Sequence, residues 1–205
     1  MVVYKLHYFN LTGLGEPIRF LFHYGGIDFE DVRYEMNEWV DLKKKFPLGQ
    51  LPVLEIDDKE HVQSMAICRY LAKQVGLAGD SDLENMEIDA VVDTFNDIRL
   101  KISTVMWEQN QEVKKEKQKI LHEQQIPFYF KKLDEYAEAN NGHFACKKLT
   151  WADLYIASWS KYFSYAIKEV FNDYENYPNI KKVVDNVLAI ENIKKWVETR
   201  PDTFC

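Results

Sequence analysis

Cysteine is scarce in this chain: three in 205 residues, Cys68, Cys146 and Cys205, an odd number and widely spaced. With no Cys-x-x-Cys pair and no Cys/His grouping of zinc-site spacing, neither a disulfide framework nor a structural zinc is expected, and the thiols suit a reducing compartment. Long apolar runs are missing too. Nothing approaches the roughly 20 residues of a membrane span, and residues 1–8 run straight into a strand pattern. No signal peptide, anchor or membrane partner is therefore expected, and a cytoplasmic location is. Positive charge is not in excess: 26 Lys and Arg stand against 33 Asp and Glu, a net charge of −7. Such a balance repels a phosphate backbone, and the densest basic stretch, residues 114–119, shares its turns with Glu112, Glu116 and Glu123 as a solvated helix face would. Nucleic acid is excluded as a partner. The five histidines (His7, His23, His61, His122, His143) form no ligand pair at helical spacing and read as surface or satisfied core residues.

What is present is enough to bury one large core or two modest ones: 46% of residues are hydrophobic and 29% charged. The pattern changes along the chain. Up to about residue 75 short apolar strands alternate with short helices, and beyond about residue 80 only helical periods occur, which predicts two domains, 2–79 and 81–205. In the first, residues 3–9 read as a strand, Gly13 and Gly15 as a turn, and Pro17 as part of a first helical turn. Ile18, Leu21 and Phe22 form that helix's apolar face, and Gly25-Gly26 ends it. Further strands are predicted at 29–34, at 53–56, and briefly at His61-Val62 after an Asp57-Asp58 turn. Ser64 is placed to cap a following helix with a core face of Ile67, Tyr70, Leu71 and Val75. This βαβ then ββα order is that of a thioredoxin-like α/β domain.

The second half is predicted to be all-α. Ile88, Val91, Val92, Phe95, Ile98 and Ile102 recur at three- and four-residue steps in a helix over 83–109, and a second long helix covers 113–138. Thr150 is a good N-cap, Asp153 three residues on can accept from its backbone N–H, and Leu149 and Leu154 are spaced as a hydrophobic staple. Pro178 introduces a further helix, and a last one over 193–198 stops before Pro201.

Thioredoxin-like domains with redox chemistry carry Cys-x-x-Cys at the end of the first strand. Here that place holds Tyr8-Phe9-Asn10, which excludes dithiol exchange; any reacting thiol must arrive with the substrate. Several runs then combine. Tyr8-Phe9 with Gly15-Glu16-Pro17-Ile18-Arg19, Trp39 with Lys43, the stretch from Pro47 through Gln50-Leu51-Pro52 to Leu54, Gln63-Ser64 with the helix after it, and Thr150-Trp151-Ala152-Asp153 resemble sigma-class glutathione transferases. They do so in order and at matching spacing over essentially the whole chain.

The resemblance implies the two-domain glutathione transferase fold and a homodimer that takes glutathione as co-substrate, with no metal. It implies that Tyr8 activates the glutathione sulfur, and that Tyr8, Trp39, Lys43, Gly49, Gln50, Leu51, Gln63 and Ser64 bind glutathione. By the same resemblance Leu51-Pro52 is a cis bond, although an X-Pro bond is usually trans, and Asp97 reaches the glutathione amino group of the other subunit. The implied activity is conjugation of the glutathione thiolate to electrophilic small molecules, lipid-peroxidation products among them. Two alternatives stay open: isomerisation of prostaglandin H2 to D2, and a non-catalytic, crystallin-like structural role. Leu14 stands where the prostaglandin-synthesising members have arginine, and their metal-binding acidic triplet reads Asp93, Asn96, Asp97. Phe9, Arg99, Trp107 and Tyr155 are given no site role.

Overall fold

The computed structural model describes residues 2–166 and 176–203; Cys205 lies outside them. Two compact units emerge. The first joins residues 1–78 to the C-terminal stretch 188–205, and the second spans 79–187.

Alternation builds the sheet of the first unit. Strand β1 (Tyr4–Phe9) buries Tyr4, Leu6 and Tyr8 and leaves Lys5, His7 and Phe9 half-buried, as a two-residue period requires. β1 pairs in parallel with β2 (Glu30–Tyr34) and antiparallel with β3 (Val53–Ile56), which pairs antiparallel with β4 (Lys59–Val62). The order is β2-β1-β3-β4. The β3–β4 turn uses Asp57 and Asp58 at φ 48° and 66°, the double positive φ of a tight hairpin.

Helix α1 (Glu16–Gly25) begins with Pro17 in its first turn and ends where Gly26 adopts φ 61°, its N–H bonding back to the carbonyls of Phe22 and His23. Ile18, Leu21 and Phe22 are buried, Phe22 meets Tyr4 at 5.3 Å between ring centroids, and α3 (Ser64–Gln74) packs on α1. Two expectations for α3 fail. Ser64 is its first helical residue rather than its cap, which is Gln63 with no side-chain cap bond. Tyr70 is exposed, because the buried stripe is Ile67, Cys68, Leu71 and Ala72, rotated by one residue from the face read in the sequence; its hydroxyl meets that of Tyr4 at 3.2 Å.

In the second unit α4 (Asp82–Met106) buries all six residues of its expected apolar stripe. The second long helix is continuous in helical backbone but carries a π-turn (Leu121–Gln125) between α5 (Gln111–Ile120) and α6 (Ile126–Ala139). Pro127 explains the π-turn: it has no N–H to give and its ring crowds the carbonyl four residues back, so the preceding turn widens. After α7 (Trp151–Ser158) and α8 (Ser160–Ala166), α9 (Pro178–Leu188) is capped from α6, whose Asp134 accepts from the Asn179 and Ile180 amides at 2.9 and 3.0 Å. The box at the start of α7 forms: the buried Asp153 carboxylate accepts from the Thr150 and Phe144 amides at 2.7 and 2.8 Å. Helix α10 (Glu191–Thr199) departs from the division at residue 81, for it packs on α1 of the first unit. No helix among the described residues is long and apolar enough to cross a membrane.

Candidate functional site

Tyr8 ends the buried face of β1 and is 5% exposed. Two glycines make room for its ring. A Cβ at Gly15 would stand 2.4 Å from Tyr8 Cδ1, and one at Gly13, where φ is +39°, 2.6 Å from Tyr8 Oη. The turn Gly13–Gly15 also presents the Leu14 amide, which donates to Tyr8 Oη at 2.8 Å. A hydroxyl that accepts from an amide is a stronger donor through its own proton, because hydrogen bonds in series polarise one another.

Behind the ring lies a buried charge network. Arg19, fully buried, sits with its guanidinium carbon 5.7 Å from the Tyr8 ring centroid. It donates through Nε to both Asp31 carboxylate oxygens at 3.1 Å and through Nη1 to the Leu11 carbonyl at 2.8 Å and Glu16 Oε2 at 3.2 Å. Glu16, itself buried, also accepts from Trp196 Nε1 and Arg200 Nη1, and Arg33 pairs with Asp31. Burying these charges is tolerable only because each is matched. Gly15-Glu16-Pro17-Ile18-Arg19 carries part of the family resemblance, and the one local sign of the Glu16–Arg19 pair in the sequence is its i, i+3 spacing.

Gln50, Leu51, Gln63 and Ser64 line one cleft of ≈ 80 Å³ together with Leu14, Leu48, Pro52 and Val62. Leu51-Pro52 is cis. Gln63 turns the chain at φ 76°, a backbone conformation that costs a side-chain-bearing residue about 1–3 kcal/mol. Immediately after it α3 begins, so the cleft sits at a helix N-terminus, whose first N–H groups and dipole favour an anion. Leu14, bonded to Tyr8, joins the cleft to the tyrosine.

Trp39 and Lys43 belong to the β2–β3 connection. Trp39 opens the short helix α2 (Trp39–Leu42), and the Lys43 amide bonds to the Trp39 carbonyl. Trp39 meets Phe9 edge-on at 5.1 Å. Gly49 takes φ 57°, in the left-handed region that favours glycine. Asp97 is an exposed residue of α4 in the second unit. In that unit Tyr155 is core, Trp107 is 67% exposed, and Arg99 donates to Asn96 Oδ1 at 2.6 Å and lies over Trp159.

Neither described cysteine suits nucleophilic chemistry: burial pushes the Cys68 thiol far up, and burial with the nearby Glu84 and Glu87 charges pushes Cys146 up to about 11. Of the histidines, His7 is bonded to Tyr34 through Nδ1, and the buried Nε2 atoms of His7 and of His23, which stacks on Trp196, have no hydrogen-bond partner among the described residues.

A four-stranded mixed sheet backed by helices, with tyrosine where a dithiol would stand after β1, and an all-helical second unit define a protein of the thioredoxin-like class. The models of the glutathione S-transferase N-terminal and C-terminal domains match residues 4–73 and 96–200. A glutathione S-transferase of Anopheles gambiae is 50% identical over 200 residues, 98% of each chain. Hematopoietic prostaglandin D synthase of Gallus gallus is 37% identical, again over 98% of each. The solved prostaglandin synthase D of Nilaparvata lugens superposes with a TM-score of 0.93 at 41% identity, covering 98% of this chain and all of that one. The chain belongs to the glutathione S-transferase family.

Proposed function

We propose that this protein conjugates glutathione to electrophilic small molecules, with Tyr8 donating to the glutathione sulfur. The observation that carries the reading is the Leu14 amide bonded to Tyr8 Oη at the edge of the cleft formed by Gln50, Leu51, Gln63 and Ser64. An ordinary thiol, with pKa near 8.5, is only a few per cent ionised at pH 7, and lowering it by two units needs ~2.7 kcal/mol. One hydrogen bond to a charged acceptor is worth about 1.5–3 kcal/mol. The thiolate then attacks the electrophilic carbon, a C–S bond forms, and the leaving group departs or the adduct takes up a proton.

The cleft, far smaller than a whole-ligand pocket, suits one end of the tripeptide. Ser64 and the α3 N-terminus would take the γ-glutamyl carboxylate, with Gln63 beside it. Leu51 would pair through its main chain with the cysteinyl backbone, Gln50 and Gly49 lying next to it, while Trp39 and Lys43 hold the glycyl end.

Replacing Tyr8 by Phe tests the reading. The expected result is a drop of about 10- to 100-fold in kcat/KM with a chromogenic aryl halide, and loss of the ultraviolet thiolate signal of bound glutathione near neutral pH. Unchanged turnover would refute it. A panel adding a lipid hydroperoxide, a reactive aldehyde and prostaglandin H2 sorts the substrates; the names of the relatives make the endoperoxide one of them, and Leu14 argues against it.

A cytoplasmic homodimer completes the proposal. Edge strand β4 and Tyr70 leave a cavity of ≈ 580 Å³ lined by Leu54, Ile56, Val62 and Ile67, and α4 exposes Leu83, Met86 and Leu100. A second copy would cover such apolar surface, and Asp97 would then serve the partner's glutathione. Sedimentation equilibrium reads the mass directly.

A further inference from the structure

His7 precedes Tyr8 on β1, and strand alternation turns it to the opposite face of the sheet. Its two ring nitrogens face neighbouring strands, and only Nδ1 is hydrogen-bonded. Nδ1 lies 2.9 Å from Tyr34 Oη on β2, and Nε2 lies 3.4 Å from Glu55 Oε2 on β3, a carboxylate that Lys5 holds at 2.6 Å. Against this imidazole rests Phe46, at 5.7 Å between ring centroids.

Phe46 is the hub of the β2–β3 connection. Its ring also meets Tyr34 and Trp39, each at 5.6 Å. Its amide donates to the Lys43 carbonyl at 3.3 Å, and its carbonyl accepts from the Gly49 amide at 3.0 Å. No residue from 35 to 50 is fully buried. The segment that carries Trp39, Lys43, Gly49 and Gln50 is therefore fastened to the sheet by a half-buried aromatic patch rather than by a core side chain, and His7 with Tyr34 forms the sheet side of that patch.

We propose that His7 is a positioning residue for glutathione: by holding the Tyr34 hydroxyl and backing the Phe46 ring, it sets the segment from which Trp39, Lys43 and Gly49 meet the ligand. This rests on the proposed glutathione site. The physical effect is pre-organisation. A segment already ordered in the free protein loses less conformational freedom when the ligand binds, so the contribution appears in glutathione affinity and not in the chemical step.

The test uses the full-length protein, glutathione and a chromogenic aryl halide, with titration calorimetry for glutathione binding. Tyr34→Phe removes one hydroxyl and nothing else; His7→Ala removes the ring; His7→Asn keeps a polar atom near the position of Nδ1. Tyr34→Phe and His7→Ala are each expected to raise the glutathione KM and Kd about fivefold, equivalent to ~1 kcal/mol. Their kcat at saturating glutathione and KM for the aryl halide stay within about twofold. Adding Tyr34→Phe to His7→Ala is expected to add little, since both break one bond, and His7→Asn recovers most of the affinity. Unchanged glutathione affinity in Tyr34→Phe and His7→Ala, with the wild type binding normally, overturns the inference alone. So does a fall of kcat in step with affinity, which marks a general structural defect. Failure of the wild type itself to bind glutathione removes the proposed function and this inference with it.

Discussion

Gly15 and Tyr8 are in direct contact, so closely that the first carbon of any side chain at Gly15 would overlap the ring, 2.4 Å from Cδ1 and 2.8 Å from Cγ. The backbone of Gly15, at φ −78° and ψ −28°, would suit any residue; space alone requires glycine there. Gly15→Ala is expected to displace the Tyr8 ring and with it the hydroxyl. The cost is about 1–3 kcal/mol of stability from overpacking and a loss of at least about tenfold in kcat/KM, since small misplacements of a reacting group are costly. Chemical denaturation and steady-state kinetics on the same preparation check both. A variant as active as the wild type would show that the ring moves without consequence.

Arg19 is predicted to be irreplaceable by lysine. Its planar fork reaches Asp31, Glu16 and the Leu11 carbonyl at once, whereas an ammonium is a point charge on a different stem. Arg19→Lys leaves part of that largely buried set unpaired and is expected to cost roughly 2–4 kcal/mol. Arg19→Ala, which leaves Asp31 to Arg33 alone and Glu16 to Trp196 and Arg200 and opens a cavity beside the Tyr8 ring, costs more. Urea denaturation measures the difference, and a midpoint within experimental error of the wild type would contradict the reading.

His23 supplies a pH prediction. Burial, opposed by the nearby Glu16 and Asp31 carboxylates and aided by Arg19, holds its pKa below the ordinary 6.5. The unfolded chain therefore binds a proton that the folded chain resists. Stability is full above about 6.5 and falls as acidification proceeds through the lower folded-state pKa. His23→Phe keeps a ring stacked on Trp196 and removes the titration, so its melting temperature should fall less than that of the wild type between about pH 7 and about pH 5. Parallel pH profiles of the two proteins would count against this assignment.

The Asp153 carboxylate satisfies two buried amides from different places in the chain, Thr150 at the start of α7 and Phe144 before it. Asp153→Ala leaves both unpaired and is expected to destabilise the protein by roughly 2–4 kcal/mol. Thr150→Ala, which keeps the carboxylate, should cost less. Thermal melts of the two variants give the ranking, and the reverse order would locate the stabilisation in the hydroxyl instead.

Local chemistry by itself determined much of this protein. The two-residue alternation of Tyr4, Leu6 and Tyr8, Pro17 and Gly26 at the ends of α1, the paired aspartates of the β3–β4 turn and the Thr150–Asp153 box all act within a few residues, where backbone geometry admits few alternatives. The same is true of Tyr8-Phe9-Asn10 at the end of β1, where a dithiol would otherwise stand. Other features depended on what each segment packs against. Tyr70 faces outward because α3 presents Cys68 and Ala72 to the core, and the helix starts at Ser64 because Gln63, at φ 76°, lies outside helical backbone geometry.

Only the tertiary structure placed Gly15 on the Tyr8 ring, carried α10 to α1, and tied Phe46 to His7. The bond from Trp196 to Glu16 joins positions 180 residues apart. A contact of that range leaves no local period or spacing in the sequence. It exists because a carboxylate buried beside Arg19 must be satisfied by whatever donor the folded chain brings within reach.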